Sequence, residues 1–180
     1  MELLGVVEFM DVFEAVNTRL EVREFSDKPV PDEVKLRVLE AARLSPSGVN
    51  TQHWRFILVD KKQELAELAE MSTTGKWVSG AAFAIIVLTD PKYPFHKLDA
   101  GRAISYMQLV AWENGVGSRI YTGIDDQRMR VRLDIPSGLE ITAVVGFGYP
   151  KRHVIGRKSR LPLESVAFQG KYGAKLALKH

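Results

Sequence analysis

Residues 81–89 read AAFAIIVLT, an almost unbroken apolar run. A strand with one wet face alternates apolar and polar residues, but this one offers water nothing on either side. Nine residues are too few to cross a membrane, which takes about 20. The run therefore predicts a central strand covered on both faces, and the rest of the chain must supply the cover.

It does so in mixed order. WRFILV at 54–59, a short stretch at 118–121 and ITAVVGFGY at 141–149 read as further strands. Val6, Phe9, Met10, Phe13 and Val16 recur at spacings of three and four, the mark of an amphipathic helix over 6–18. Pro31 with Asp32 and Glu33 predicts a helix start, Val34, Val38, Leu39 and Ala42 its buried stripe, and Pro46 its end. KKQELAELAEM reads as a short helix. Residues 99–115 read as a longer one, with Ala100, Ala103, Ile104, Met107, Val110 and Ala111 on one side and Gly115 as the stop. DDQRMRVRL is a helix opened by an Asp cap. Without regular β-α-β spacing the pattern favours α+β over a doubly wound sheet. At 180 residues one domain is expected over 1–180. Residues 1–9 are a possible N-terminal extension. The basic, weakly patterned tail from 151 to 180 has too little apolar content to pack alone, so it is expected to lie on a second subunit.

Several function classes fall away. Zero cysteines exclude disulfides, cysteine nucleophiles and thiolate metal sites. His53, His96, His153 and His180 show no ligand spacing, so no metal site is expected. Neither G-x-S-x-G, G-x-G-x-x-G nor G-x-x-x-x-G-K-[ST] occurs. A net charge of +3 suits a small anion but is too weak to argue for nucleic acid. No stretch is apolar for long enough to span a membrane. MELLGVVEFMDVF lacks a basic start and carries Glu2, Glu8 and Asp11, so a cytoplasmic location is expected. The chemistry is then expected to reside in an organic cofactor.

Two features point to where that cofactor would sit. ARLSPSGVNTQHWRF, residues 41–55, places small and amide-bearing residues between a helix and a strand, a surface suited to a flat ligand with polar edges. Arg19 with Arg23, and Lys158 with Arg160, are basic pairs from opposite ends of the chain. Each pair alone reads as solvated surface. Converging, they would make a phosphate site, because Arg grips phosphate with a planar fork and Lys adds a point charge.

MDVFEAVNTRLEVREFSDKPV resembles the opening of the nitroreductase family of FMN-dependent oxidoreductases. SPSGVNTQHWRFILV is similar to its polar loop between helix and strand, and GRKSRLPLESV to its C-terminal basic segment. The resemblance implies an α+β fold with a central, mostly antiparallel sheet flanked by helices. It also implies a homodimer with FMN at the subunit interface and a swapped C-terminal segment. Arg19, Lys158 and Arg160 would hold the FMN phosphate, with Leu20 among the same contacts. Arg23 and Lys76 would lie at the N1/C2=O edge. Pro46, Ser47, Gly48, Asn50 and Gln52 would line the ring and ribityl chain, and the backbone of Tyr121, Thr122 and Gly123 would face N5. The implied activity is ping-pong transfer from NADH or NADPH, as hydride through N5, to a small aromatic acceptor of nitroaromatic, quinone or flavin type. No side-chain acid or base is required. Same-fold chemistries (dehalogenation, flavin fragmentation) and a non-catalytic flavin-binding module are the alternatives. Three departures stand out: Glu21 replaces a usual serine, His53 replaces a usual proline, and residues 89–99 are short where larger members insert lid helices. Tyr93, Phe95 and His96 would border the site or pack that loop.

Overall fold

The computed structural model describes residues 10–154, 156 and 158–178. Its centre is the apolar run, which forms β2 (Phe83–Thr89) with every residue buried. β1 (Arg55–Val59) pairs antiparallel with one side of β2 and β4 (Glu140–Gly148) with the other. β3 (Gly117–Tyr121) closes on β4, giving the order β1-β2-β4-β3. The double-sided burial expected of the run is therefore met in an antiparallel sheet.

Alternation along the strands divides the core in two. Phe83, Ile85 and Val87, with Ala143, Val145 and Phe147, face α2 (Asp32–Arg43) and α4 (His96–Glu113). The Phe83 and Phe147 rings stack there at 4.7 Å. Ala100, Ala103 and Ala111 of α4 are buried, so the helix lies close against the sheet. Ala84, Ile86, Leu88 and Val144 point the other way, onto Leu65 and Leu68 of α3 (Lys62–Glu70) and Met129 of α5 (Asp126–Arg132). Fully burying one such side chain is worth about 1.5–3 kcal/mol, so both layers matter to stability.

Boundaries differ from the sequence reading in ways with physical causes. α5 is capped as expected, with Asp125 accepting a hydrogen bond from the Arg128 amide. α2 stops at Arg43 with Leu44, still in helical backbone, as its C-cap, just ahead of Pro46 as expected. α4 begins at His96 rather than Asp99, so the last residues of the presumed loop 89–99 are helical. The described part of the first helix is α1 (Val12–Thr18), where Asp11 caps the Glu14 amide; Val6 and Phe9 lie outside the described residues. The apolar stripe of α1 faces outward: Val12 is 75% and Phe13 77% exposed, and only Ala15 is buried. Trp112 on α4 ties the helix down by donating from Nε1 to Thr18 Oγ1 at 2.9 Å. The tail is equally open, with Leu161, Leu163, Val166, Tyr172 and Leu178 exposed. Among the described residues, no helix is long and apolar enough to cross a membrane.

Candidate functional site

The segment after α1 runs along the outer edge of β3. Val22 donates its amide to the Ser118 carbonyl at 3.1 Å, and Glu21 bridges to Ser118 in parallel. Farther on, Ser26 bonds to Tyr149 at 2.8 Å and Lys151 to Glu24 at 3.0 Å. The end of β4 therefore leaves alongside residues 24–26, which returns the tail to the start of the chain. Lys158 donates to the Val16 carbonyl at the end of α1.

This brings Arg19, Lys158 and Arg160 into one electrostatic neighbourhood. Burial, then the charges of Arg19 and Arg160, holds the Lys158 ammonium below the usual lysine range. Glu21 offsets part of the charge through a 2.7 Å ion pair with Arg19. The acid at position 21 thus turns toward the cation rather than away. Leu20 and Lys158 also line a cavity of about 1100 Å³ between α1, the end of α4 and residues 150–154 with Gly156, which neither the 47–52 loop nor Lys76 borders. Three cations crowded against each other's charge suit a dianionic phosphate, whose binding relieves that repulsion. The donor set therefore fits FMN.

A second group forms on the other core layer. Lys76 opens a 3-10 turn, residues 76–80, and is exposed. Residues 72–75 are stitched to the chain after β3: the Ser72 hydroxyl and the Thr73 amide both donate to the Gly123 carbonyl, at 3.1 and 2.9 Å. Lys76 is thereby held near Tyr121, Thr122 and Gly123. Trp77 stands edge-on to Tyr121 at 5.8 Å and packs over Gly146, where a Cβ would meet its ring at 2.7 Å. The Tyr121 hydroxyl is buried, and burial pushes its pKa up, so it stays protonated at any ordinary pH. Arg23 is exposed beyond Val22 on the β3 edge.

The third group is the polar loop. Ser47 accepts the Gln52 amide on Oγ at 3.0 Å. Val49, Asn50 and Gln52 all take left-handed backbone, with φ of 51°, 55° and 47°. Such residues cost about 1–3 kcal/mol each and persist only where the surroundings impose them. Pro46, Asn50 and Gln52 are exposed, and Val49 is 93% exposed, so the strained stretch faces outward. The surroundings that impose it are α4 and its approach. Asp99 accepts the Gly48 amide at 2.9 Å, and a Cβ on Gly48 would meet the Phe95 ring at 2.6 Å.

One subunit therefore forms three clusters. The loop leads into the start of β1 and Tyr121 ends β3, so both lie at the same end of the sheet but on opposite edges. Three strand spacings, roughly 14 Å, separate them. Two residues missed by the sequence reading are His53 and Asp99, whose side chains are 1% and 0% exposed and lie 3.2 Å apart. A signal for Asp99 was available: with Ala103 and Met107 it falls at spacings of four on the buried stripe of α4, where an acid needs a partner.

Comparison with known proteins identifies the family. A model of the nitroreductase family matches residues 16–86 and 72–149. The chain is 34% identical over 146 residues to the "Putative NADH dehydrogenase/NAD(P)H nitroreductase" of Archaeoglobus fulgidus, covering 76% of this chain and 83% of the relative. It is 34% identical over 155 residues to the protein of the same name from Methanothermobacter thermautotrophicus, covering 81% of each. The FMN-dependent nitroreductase of Clostridium difficile superposes with a TM-score of 0.79 at 28% identity, over 87% of this chain and 98% of that one. The chain is a member of the nitroreductase family of FMN-dependent NAD(P)H oxidoreductases.

Proposed function

We propose that this oxidoreductase passes electrons from NADH or NADPH to a small aromatic acceptor (nitroaromatic, quinone or flavin) in ping-pong order, as a homodimer in the cytoplasm. The observation that carries the reading is the meeting of Arg19 with Lys158 and Arg160, cations that lie about 140 positions apart in the sequence. The chemistry FMN supplies when bound is acceptance of hydride at N5 and its return, as electrons, to the acceptor.

This chain's own residues bind, orient and compensate charge. Arg19, Lys158 and Arg160 hold the phosphate, with Leu20 beside them. Arg23 and Lys76 set positive charge at the N1/C2=O edge, where reduction places negative charge. Ser47, Gly48, Asn50 and Gln52, with Pro46, form the polar surface against the ring and ribityl chain. The backbone at Tyr121, Thr122 and Gly123 presents an amide to N5. Separation of the loop from these groups within one subunit supports a site shared between two. The outward apolar face of α1 and the exposed apolar residues of the tail supply the surfaces that such a dimer buries. In that dimer, the whole chain from 1 to 180 is one cofactor-binding unit and its tail crosses to the partner.

The test is an absorbance spectrum of the purified protein, followed by anaerobic NADH or NADPH and then a quinone. A flavin spectrum that bleaches with the nucleotide and returns with the quinone is expected. Protein that stays colourless and binds no added FMN sinks the reading.

A further inference from the structure

The 47–52 loop is seated by a buried acid and histidine that the proposed chemistry does not use. Asp99, in the first turn of α4, has no exposed side-chain surface. Its Oδ2 accepts the Gly48 amide at 2.9 Å and lies 3.2 Å from His53 Nε2, while its Oδ1 accepts from Arg102 at 3.3 Å. A carboxylate is acceptor-only, so the Nε2 proton points at it. Two of these three donors belong to the loop or flank it. His53 Nδ1 has no partner among the described residues, so the polarity of this ring is spent on Asp99 alone. Tyr93 stacks on the same ring at 5.3 Å, and Phe95 packs against it at 6.2 Å and against Gly48.

We infer that His53 and Asp99 are positioning residues, a buried tether that seats the loop so that Val49, Asn50 and Gln52 keep the left-handed backbone with which it meets the ligand. The inference rests on the reading of that loop as a flavin surface. An apolar residue at 99 would continue the buried stripe of α4 at less cost than a charge. The carboxylate is there for its hydrogen bonds, and two of the three join it to the loop or its flank. Where the family resemblance expects proline at 53, a ring would stiffen the backbone directly. In this chain a side-chain hydrogen bond to another helix does that work.

The experiment compares His53→Ala, His53→Gln, His53→Asn and Asp99→Asn with the unaltered protein. It reads the FMN Kd by fluorescence quenching and, without FMN, the amide exchange of residues 48–52. The Gln amide nitrogen reaches about where Nε2 lies, whereas the shorter Asn does not. His53→Ala, His53→Asn and Asp99→Asn are expected to weaken FMN binding roughly tenfold or more and to speed exchange at Gly48. His53→Gln should stay within about threefold of the parent on the same scale. Equal loss in His53→Gln and His53→Ala overturns the inference, because ring packing would then be the whole effect. Parent-like Kd and exchange in Asp99→Asn overturn it too, even if His53→Ala does not fold. Parent protein that binds no FMN overturns the flavin reading and this inference together; parent binding with unchanged variants overturns the inference alone.

Discussion

In the proposed site the polar loop and the cation cluster meet the same ligand, but they are fastened by opposite means. The loop is tied from within: Asp99 and the aromatic pair Tyr93 and Phe95 impose a backbone its own residues would not choose. The cluster is tied by little besides a carbonyl contact from Lys158 and the pair between Arg19 and Glu21, and its charges repel one another. Shape is thus prepared in advance on one side, whereas on the other the ligand's own charge completes the structure. On the proposed function a rigid half would set orientation and an electrostatic half affinity, so changes in each should separate in experiment.

The largest expected effect removes charge from the cluster, together with the Lys158 contact to Val16. Lys158→Met with Arg160→Met should weaken FMN binding about a hundredfold, read by fluorescence titration, and make the remaining affinity less sensitive to salt. The FMN-free protein should melt no lower than the parent. The sign follows from Lys158: its pKa is lowered in the fold, so the charged form carries a cost at neutral pH. That cost fades as pH rises through the lowered folded pKa and is gone by the ordinary lysine value.

Next comes damage to the prepared shape. Gly48→Ala puts a Cβ 2.6 Å from the Phe95 ring, which should cost about 2 kcal/mol of stability and also weaken FMN binding. Parallel thermal melts with and without FMN check both parts. If the melting temperature holds while binding falls, the loop is looser than its hydrogen bonds imply. The smallest effect sharpens the contrast from the other side. Glu21→Ser releases Arg19 from its ion pair, and FMN should bind two- to fivefold tighter, about the worth of an exposed pair. Unchanged affinity would mean that the pair already opens when the ligand arrives.

The sequence disclosed the two halves unequally, for a physical reason. Whatever depends on neighbouring residues was readable: the double-sided strand at 83–89 and the Asp125 cap. The basic segments were visible too, since charge announces itself wherever it lies. The tether was not, because His53 and Asp99 meet only through tertiary packing across 46 positions. The loop's conformation was illegible as well. Val49 is β-branched and strongly disfavours the φ of 51° that it adopts, so local preference argued against the truth. α1 misleads in another way: its stripe marks a helix with an apolar face, but spacing cannot say that the face turns outward.

The strand order has a consequence in time as well as in space. β2 and β4 lie side by side at the centre of the sheet, yet Phe83 and its partner Phe147 are 64 positions apart in the chain (147 minus 83). Their pairing must wait for α4, β3 and α5 to exist, and distant pairings of this kind are slow to close. The tail that carries Lys158 follows β4 directly, so it finds its seat against α1 only after the sheet has shut. A newly made chain of this protein therefore carries both ends of the His53–Asp99 contact before it carries Lys158 and Arg160.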